Sequence, residues 1–238
     1  MSLLQLSNRF VAYYSTHGIL ATIKRMKLAL KRGVFANRMV VFYCDLRKPL
    51  GPMTNLPTSI TVERLYSYGQ LPAEDLQFLT SFWNPKQAHQ NIQERFEKGA
   101  SLWLIRWQGN LAGYGWTVLG KTITPYFLPV GENDVQLFDF YAFPKFRGRG
   151  IHLLLIAYIL QTMAAEGRTR AFGDTAEWND AQLASFRMTP FRPLGLARSF
   201  AIRGHTFVTW DQHNAETTQQ RIGTANRETS NATGSPVP

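Results

Sequence analysis

The sequence predicts a mixed α/β domain over residues 59–211, and two observations carry this prediction. The first is the order of the apolar patterns, which read β-α-α-β-β-β-α-β-α-β-β along the chain. The second is the composition, since 238 residues with 45% hydrophobic and 13% aromatic content can bury a sizeable core. The order lacks the regular βαβ repeat of a doubly wound sheet, so we expect a different α/β architecture.

The first half of this domain begins with a strand and two helices. The segment ITVERL has the alternation of a strand, a helix begins behind Pro72, and a second helix ends at Gly99. The segments SLWLIRW and LAGYGWTVL then predict a hairpin with its turn at Gln108-Gly109-Asn110.

The second half is built around a long apolar helix. The segment DVQLFDFYAF predicts a strand that runs into a Gly-Arg turn, and helix 151–166 follows and ends at Gly167. The segment RAFGDT predicts the next strand, and a helix extends from Asn179 to about Met188. The segments RSFAIRG and TFVTWD close the domain as a strand pair joined at Gly204.

Positive charge is concentrated at the N-terminus. Residues 1–50 hold nine Lys and Arg residues against Asp45, so they carry +8 of the formal net charge of +10. Within them, residues 19–32 predict a basic amphipathic helix, and the strand MVVFYCDL follows. We interpret residues 1–58 as an extension whose helix packs on the domain or makes weak contact with an anionic membrane. Both interpretations are favoured over nucleic-acid binding.

Cysteine usage and hydropathy favour a cytoplasmic protein, with the basic helix as a peripheral contact at the inner membrane face. Cys44 is the only cysteine, which excludes an intrachain disulfide framework and a multi-cysteine zinc site. No signal-peptide pattern is found. The longest apolar run, Leu153 to Leu160, is shorter than the roughly 20 residues that a membrane helix needs. Residues 212–238 are polar and are predicted to be a disordered tail.

The segment FPKFRGRGIHLLLI, residues 143–156, places the Gly-Arg turn between a strand and the apolar helix. Backbone N–H groups and the positive end of the helix dipole converge at such a corner. Gly148 and Gly150 allow the backbone to approach a ligand, and Arg147 and Arg149 add charged donors. The turn suits a pyrophosphate, but it matches neither the dinucleotide fingerprint nor the P-loop. A solvated tight turn would show the same residues.

The turn and the element order together resemble the GCN5-related N-acetyltransferase (GNAT) superfamily over about residues 59–211. The stretch from Arg147 to His152 lies where that family has its Q/R-x-x-G-x-G/A loop for acyl-coenzyme A. Asn179 follows Arg147 by 32 residues, a spacing usual for the family's Asn on the next helix, and Phe191 falls where the family usually ends that helix. The resemblance implies a mixed, mostly antiparallel central sheet flanked by helices, of the acyl-CoA N-acyltransferase type.

The resemblance also implies an acetyl-CoA donor, with no metal, and the residues that hold it. Backbone groups at the end of the strand before the turn would bind the pantetheine arm as an added strand would. The amides of the turn would bind the pyrophosphate, and the Asn would reach the pantetheine or the acyl group. These residues are Phe140, Tyr141, Ala142, Arg147, Gly148, Arg149, Gly150, Ile151, His152 and Asn179.

The sequence departs from the family pattern at three positions. His152 replaces the last Gly or Ala of the loop, so either its side chain points away from the donor or it reshapes the donor pocket. Pro190 replaces a usual Gly. Phe186 stands where many members carry a Tyr that protonates the leaving thiolate. Either Tyr141 or Tyr114 would donate this proton instead, or the thiolate leaves unassisted.

Acetyl transfer to an amine also needs a base, because the attacking amine must be neutral. Asp174, five residues before Asn179, lies where some family members place a catalytic Glu. Asp139 alternates with Tyr141 on the strand before the turn, so both project from one face of the sheet. Glu177 is a third candidate. A local strand-end or capping role explains each carboxylate as well.

The sequence favours an N-acetyltransferase that acts on the amine of a small molecule such as an amino sugar, by direct attack. Four aromatic side chains either line its acceptor pocket or fill the core: Tyr114, Trp116, Tyr141 and Trp178. One alternative is a non-catalytic acyl-CoA-binding protein of the same fold. Another is a peripheral membrane or nucleic-acid binder that uses the basic N-terminus.

Overall fold

A computed structural model describes residues 38–50, 56–81, 85–124, 126–202 and 205–211, together with Ile23, which is helical and exposed. Most of the predicted basic helix and the predicted tail, residues 212–238, lie outside the described residues. The predictions for these two segments therefore stay predictions.

The described residues include eight strands, four α-helices and two short 3₁₀ helices, Tyr68–Gln70 and Pro144–Phe146. The strands are β1 (Arg38–Asp45), β2 (Ile60–Leu65), β3 (Ala100–Trp107), β4 (Asn110–Leu119), β5 (Asp134–Ala142), β6 (Arg170–Ala176), β7 (Arg192–Ile202) and β8 (His205–Trp210). The helices are α1 (Ala73–Ser81), α2 (Pro85–Glu97), α3 (Ile151–Ala165) and α4 (Asp180–Arg187). No helix among the described residues has the length and apolar character needed to cross a membrane.

The strands form one sheet in the order β2-β3-β4-β5-β6-β1-β7-β8. Neighbouring strands are antiparallel except β5 and β6, which are parallel. From β2 onward, the element order along the chain is the predicted one. The predicted mixed, mostly antiparallel sheet flanked by helices is therefore confirmed.

Strand β1 is an interior strand of this sheet. It pairs with β6 along one edge and with β7 along the other. Val41 and Phe42 project from opposite faces and are 0% and 4% exposed. The strand that was predicted as part of an N-terminal extension is thus an integral part of the sheet. The predicted boundary at residue 58 separates β1 from the strands with which it pairs, β6 and β7. A strand pattern does not reveal pairing partners, because periodicity shows only that a segment is extended and which side chains share a face.

A bulge in β5 changes the direction of one carboxylate. The ladder between β4 and β5 shifts between Tyr114 and Trp116, so that Asp139 and Phe140 both lie opposite Gly115. Asp139 has φ of 48°, the left-handed conformation that many bulges contain. The extra residue turns the Asp139 side chain towards helix α2.

Strands β5 and β6 separate after a short parallel ladder. Asp134–Gln136 pair with Arg170–Phe172, whereas β5 runs on to Ala142 and β6 to Ala176. A buried ion pair closes the start of this ladder, with Arg170 Nε donating to Asp134 Oδ1 at 2.7 Å. We call the space between the unpaired parts, 137–142 of β5 and 173–176 of β6, the β5–β6 cleft.

The two faces of the sheet carry different helices. On one face, Phe96 of α2 packs against Trp116 with ring centroids 5.0 Å apart. On the other, Tyr158 of α3 packs against Trp103 with centroids 6.3 Å apart. The sheet therefore has an α2 face and an α3 face. The cleft opens between them.

Candidate active site

The Gly-Arg turn lies at the N-terminal end of α3. A short 3₁₀ helix, Pro144–Phe146, leads into it. Gly148 and Gly150 have φ of 75° and 73°, and an added Cβ at either would meet no atom within 4 Å. The left-handed backbone, and not crowding, is what requires glycine here. The open space beside both glycines is available to a ligand.

The first turn of α3 presents unpaired amides. Its first backbone hydrogen bond runs from the Leu154 N–H to the Gly150 carbonyl at 3.0 Å. The N–H groups of Ile151, His152 and Leu153 precede that bond and have no acceptor within the helix. Together with the helix dipole they form a site suited to an anion.

The two arginines of the turn are held against the protein. Arg147 donates to the Ala142 carbonyl at 3.2 Å and to the Tyr141 hydroxyl at 3.1 Å. The Arg149 guanidinium lies 5.4 Å from the centroid of the Trp107 ring. Anion binding at this turn therefore depends on the backbone more than on the arginine side chains.

His152 packs inside the structure. Its ring lies edge-on to Phe140 with centroids 5.5 Å apart, and Gln182 Nε2 lies 3.3 Å from its Nε2. Burial lowers the pKa of His152 to about 4, so the ring is neutral at neutral pH and accepts from the Gln182 amide. His152 is thus a half-buried residue of α3 that packs against Phe140 and α4.

The other predicted donor-binding residues line the cleft or cap a helix. Phe140 lies across Gly115, where an added Cβ would come within 2.4 Å of its ring, so glycine is needed opposite the bulge. The Asn179 Oδ1 accepts from the Gln182 N–H at 3.3 Å and caps α4. The amide N–H₂ of Asn179 takes no part in this cap and can donate to a ligand.

Phe186 belongs to the core. It is 6% exposed, and its ring stacks on Phe42 and lies edge-on to Phe191, with centroids 4.1 and 5.3 Å apart. It also lies against the backbone of Gly173, where an added Cβ would come within 3.1 Å of it. In this chain, the position of the family's usual Tyr is therefore occupied by a phenylalanine that packs in the apolar core.

Asp174 lies on β6 beyond the end of the parallel ladder. It follows Phe172 by two residues, and Phe172 pairs with Gln136 of β5. Because parallel partners share a face and side chains alternate, Asp174 projects on the side of Gln136 and Phe138. Phe138 stacks on Trp116, so this is the α2 face of the sheet.

The surroundings of Asp174 make it a candidate base. Burial raises its pKa to about 6, and the neighbouring Tyr126 hydroxyl lowers it in part. That hydroxyl is buried and lies beside the carboxylate, without the alignment of a strong hydrogen bond. A carboxylate with a pKa close to neutrality can accept a proton and release it again.

The other two candidate carboxylates are already paired. Asp139 accepts a hydrogen bond from Arg95 of α2. Glu177 Oε2 lies 3.0 Å from Arg38 Nε of β1. The oxygen that contacts the guanidinium is not available to an incoming amine. The environment of Asp174 therefore suits a base better than that of Asp139 or Glu177.

A pocket of about 340 Å³ lies between α1, α2 and strands β3–β5. We call it the α2 pocket. Its apolar side chains include Leu79, Ile92, Leu102, Tyr114 and Trp116, and its polar side chains are Gln87, Asn91, Arg95 and Asp139. Asp139 belongs both to this pocket and to the wall of the β5–β6 cleft, so the two spaces adjoin at the bulge.

Two of the four predicted pocket aromatics line this space. Tyr114 and Trp116 do so, whereas Tyr141 and Trp178 are not among the described residues that line it. Tyr141 lies at the end of β5, where its hydroxyl accepts from Arg147. Asp174 does not line the pocket either, although it projects from the same face.

Cys44 has the properties of a core residue. It is 3% exposed, and burial raises its pKa to about 12. A thiol with so high a pKa is a poor nucleophile at neutral pH.

Sequence reasoning missed Arg95 and Tyr126. Gln87, Asn91 and Arg95 are spaced by four residues, which places them on one face of a helix, and this pattern was a usable signal. Tyr126 lies in the connection between β4 and β5, which packs on β6 and β1 through a second apolar cluster. Apolar residues within a connection indicate that it is packed, but they do not indicate its partner.

Several solved structures are similar to this chain at low sequence identity. A GNAT-family protein from Novosphingobium aromaticivorans is 16% identical, and the match covers 66% of this chain and 60% of that one, with a TM-score of 0.44. A GCN5-related N-acetyltransferase from Kribbella flavida is 13% identical, with coverages of 74% and 59% and a TM-score of 0.46. This chain thus spans about 60% of the length of either protein.

A further match is the glucosamine N-acetyltransferase region of a fungal multi-domain β-N-acetylglucosaminidase. It is 16% identical, with coverages of 73% and 22% and a TM-score of 0.50. At this identity the likeness shows the fold alone. None of the curated proteins matches the chain.

The family model described as the acetyltransferase (GNAT) family matches residues 69–189. These residues run from the segment before α1 to the end of α4, and they include the Gly-Arg turn, Asn179 and all three candidate bases. The match covers half of the sequence. The chain therefore belongs to the GNAT acetyltransferase family.

Proposed function

We propose that this protein transfers an acetyl group from acetyl-CoA to the amine of a small molecule by direct attack. The observation that carries the proposal is the position of the β5–β6 cleft. The anion site at the start of α3 lies at one end of it, and the α2 pocket adjoins it at the Asp139 bulge. Donor and acceptor would therefore meet between the two strands.

The residues around the cleft fit acetyl-CoA. The unpaired amides of Ile151, His152 and Leu153 and the open left-handed backbone at Gly148 and Gly150 suit a pyrophosphate. Beyond Gln136, β5 has no ladder partner on its β6 side among the described residues. The backbone groups of 140–142 on this side are therefore available to the amides of the pantetheine arm, apart from the Ala142 carbonyl, which accepts from Arg147. The Asn179 N–H₂ group would donate near the same arm.

When bound, acetyl-CoA supplies a thioester whose carbonyl carbon accepts the amine. In this scheme Asp174 takes one proton from the amine, the new C–N bond forms, and the C–S bond breaks. The thiolate sulfur takes a proton, so the products are the N-acetyl compound and free coenzyme A. Asp174 suits the first proton transfer because its pKa lies near neutrality.

Protonation of the thiolate cannot come from Phe186. The two predicted substitutes are Tyr114 and Tyr141, and Tyr141 stands on the cleft strand, where its oxygen accepts a hydrogen bond from Arg147. Unassisted departure is also chemically reasonable, since a thiol has a pKa of about 8.5.

The sealed environment of Phe186 supports a second candidate, a protein that binds acyl-CoA without turnover. This chain has the backbone features of a donor site, but the buried Phe186 stands where the family usually has the Tyr that protonates the thiolate. The prediction of an amino-sugar acceptor stays a prediction.

Two measurements on the full chain separate the candidates. Calorimetric titration with acetyl-CoA reports donor binding, and release of free thiol with a panel of amines, checked by the mass of the product, reports transfer. Binding together with amine-dependent thiol release supports the transferase. Binding without turnover of any amine supports the non-catalytic protein, and absence of binding contradicts both.

A further inference from the structure

Two charged side chains of opposite sign line the α2 pocket among the described residues. They are Arg95 and Asp139, and the remaining polar groups, Gln87 and Asn91, are neutral. The formal charge of the lining is therefore zero. A pocket that selects a polycation needs net negative charge, and this lining does not provide it.

The Arg95 guanidinium is fixed in position. It lies 5.2 Å from the centroid of the Trp116 ring and 5.5 Å from that of Phe138, and one of its N–H groups donates to Asp139. Stacking and the ion pair hold the plane of the guanidinium before any ligand arrives.

Most of the donors of Arg95 remain unused. Arg95 carries five N–H donors, and Asp139 is its one hydrogen-bond acceptor among the described residues. Its side chain is 23% exposed. A fixed, partly buried guanidinium with open donors in a pocket is the arrangement that binds a carboxylate through two parallel hydrogen bonds.

The rest of the pocket is suited to an apolar group. Leu79, Ile92 and Leu102 form its apolar wall, and each is less than 9% exposed. Asp139 contacts Arg95 and also forms part of the cleft wall. An α-amino acid whose carboxylate is bound by Arg95 would therefore hold its α-amine close to the cleft.

We propose that the acceptor is an α-amino acid with an apolar side chain, whose carboxylate is bound by Arg95. This rests on the proposed transferase function and names its substrate class. Asp139 acts as a positioning residue that orients the guanidinium and keeps the pocket neutral. Amino sugars, aminoglycosides and polyamines lack the carboxylate and are poor acceptors on this account.

The test compares leucine with leucinamide and 3-methylbutylamine, which keep the side chain and amine but lack the carboxylate. Rates of thiol release are compared at equal concentrations of neutral amine. The full chain is expected to favour leucine by about 10–100-fold in kcat/KM, the usual effect of a charge-assisted pair. Arg95→Met should abolish this preference, and Arg95→Lys should weaken it, because an ammonium has no planar fork. Lys98→Met, one residue beyond the end of α2 and outside the pocket, should leave it unchanged.

Equal rates with leucine and with the two uncharged analogues overturn the inference and leave the transferase function intact. If no amine is acetylated, the transferase function fails, and leucine titrated into the protein saturated with coenzyme A decides the inference separately. Arg95-dependent binding of leucine supports it, and no binding overturns it. Circular dichroism of each variant confirms that it is folded.

Discussion

The ring of Phe186 lies parallel to the ring of Phe42, with an interplanar angle of 1° and centroids 4.1 Å apart. Phe186 belongs to α4, and Phe42 belongs to β1, the strand from the N-terminal part of the chain. The contact therefore joins the helix behind the Asn179 cap to the middle of the sheet. It also explains why this position carries no hydroxyl.

Truncation of Phe186 should destabilise the fold. Phe186→Ala removes a buried ring that packs on Phe42 and Phe191, and such changes cost about 3–5 kcal/mol in the free energy of unfolding. Denaturant unfolding measures this loss. Met188→Ala, just beyond the C-terminal end of α4, is the control, since Met188 is 65% exposed, and it should change stability by less than about 0.5 kcal/mol. Similar effects from the two variants would contradict the core role of Phe186.

The anion site at the start of α3 should respond to charge rather than to size. Gly150→Asp and Gly150→Asn add side chains of nearly the same shape, and both residues tolerate the left-handed φ of 73° better than other types do. Only Asp places a negative charge beside the unpaired amides. Acetyl-CoA affinity, measured by calorimetry, should fall clearly more for Asp than for Asn. Equal affinities for the two variants would show that the turn does not bind the phosphates.

The Tyr126 hydroxyl should tune Asp174. It lowers the pKa of this carboxyl in part, so Tyr126→Phe should raise that pKa further. The acid limb of the kcat–pH profile should then move to higher pH, with little change in acetyl-CoA affinity. Tyr66→Phe is the control, since Tyr66 is 58% exposed. If the kcat–pH profile of Tyr126→Phe were identical to that of the wild type, Tyr126 would have no effect on Asp174 during turnover.

Asp174 should reduce stability above its pKa. Its folded-state pKa of about 6 lies above the ordinary value of 3.8, so the folded state holds the proton more tightly than the unfolded state does. The carboxylate therefore costs stability as the pH rises through about 6, and it costs nothing below about pH 4. Asp174→Asn should be more stable than the wild type at pH 8, by a difference on the order of 1–3 kcal/mol. This gain should disappear below about pH 4, and a constant difference across this range would contradict it.

Local patterns predicted the elements of the fold. The periodicity of 59–211 predicted each strand and helix in order, because side-chain spacing records which face is buried. The same patterns placed Gly148 and Gly150 in a strand-to-helix turn, where the left-handed backbone requires glycine.

Long-range relationships were not predictable in this way. The insertion of β1 between β6 and β7 depends on pairing between segments more than 120 residues apart, and no local pattern specifies it. The contact of Arg95 with Asp139 depends on a bulge that departs from the alternation on which strand predictions rest. The raised pKa of Asp174 depends on its burial in the folded protein, which no local pattern specifies.

The most direct test of the central claim is the pH dependence of kcat in the wild type and in Asp174→Asn. If Asp174 deprotonates the amine in the cleft, wild-type kcat falls tenfold per pH unit below about 6, where the carboxylate is protonated. Asp174→Asn should lower kcat by about 10²–10⁴-fold and should lose this limb, with acetyl-CoA affinity unchanged. The claim would be contradicted if Asp174→Asn had the same kcat as the wild type and if its rate followed only the fraction of neutral amine. In that case the protein acts by holding the two reactants together.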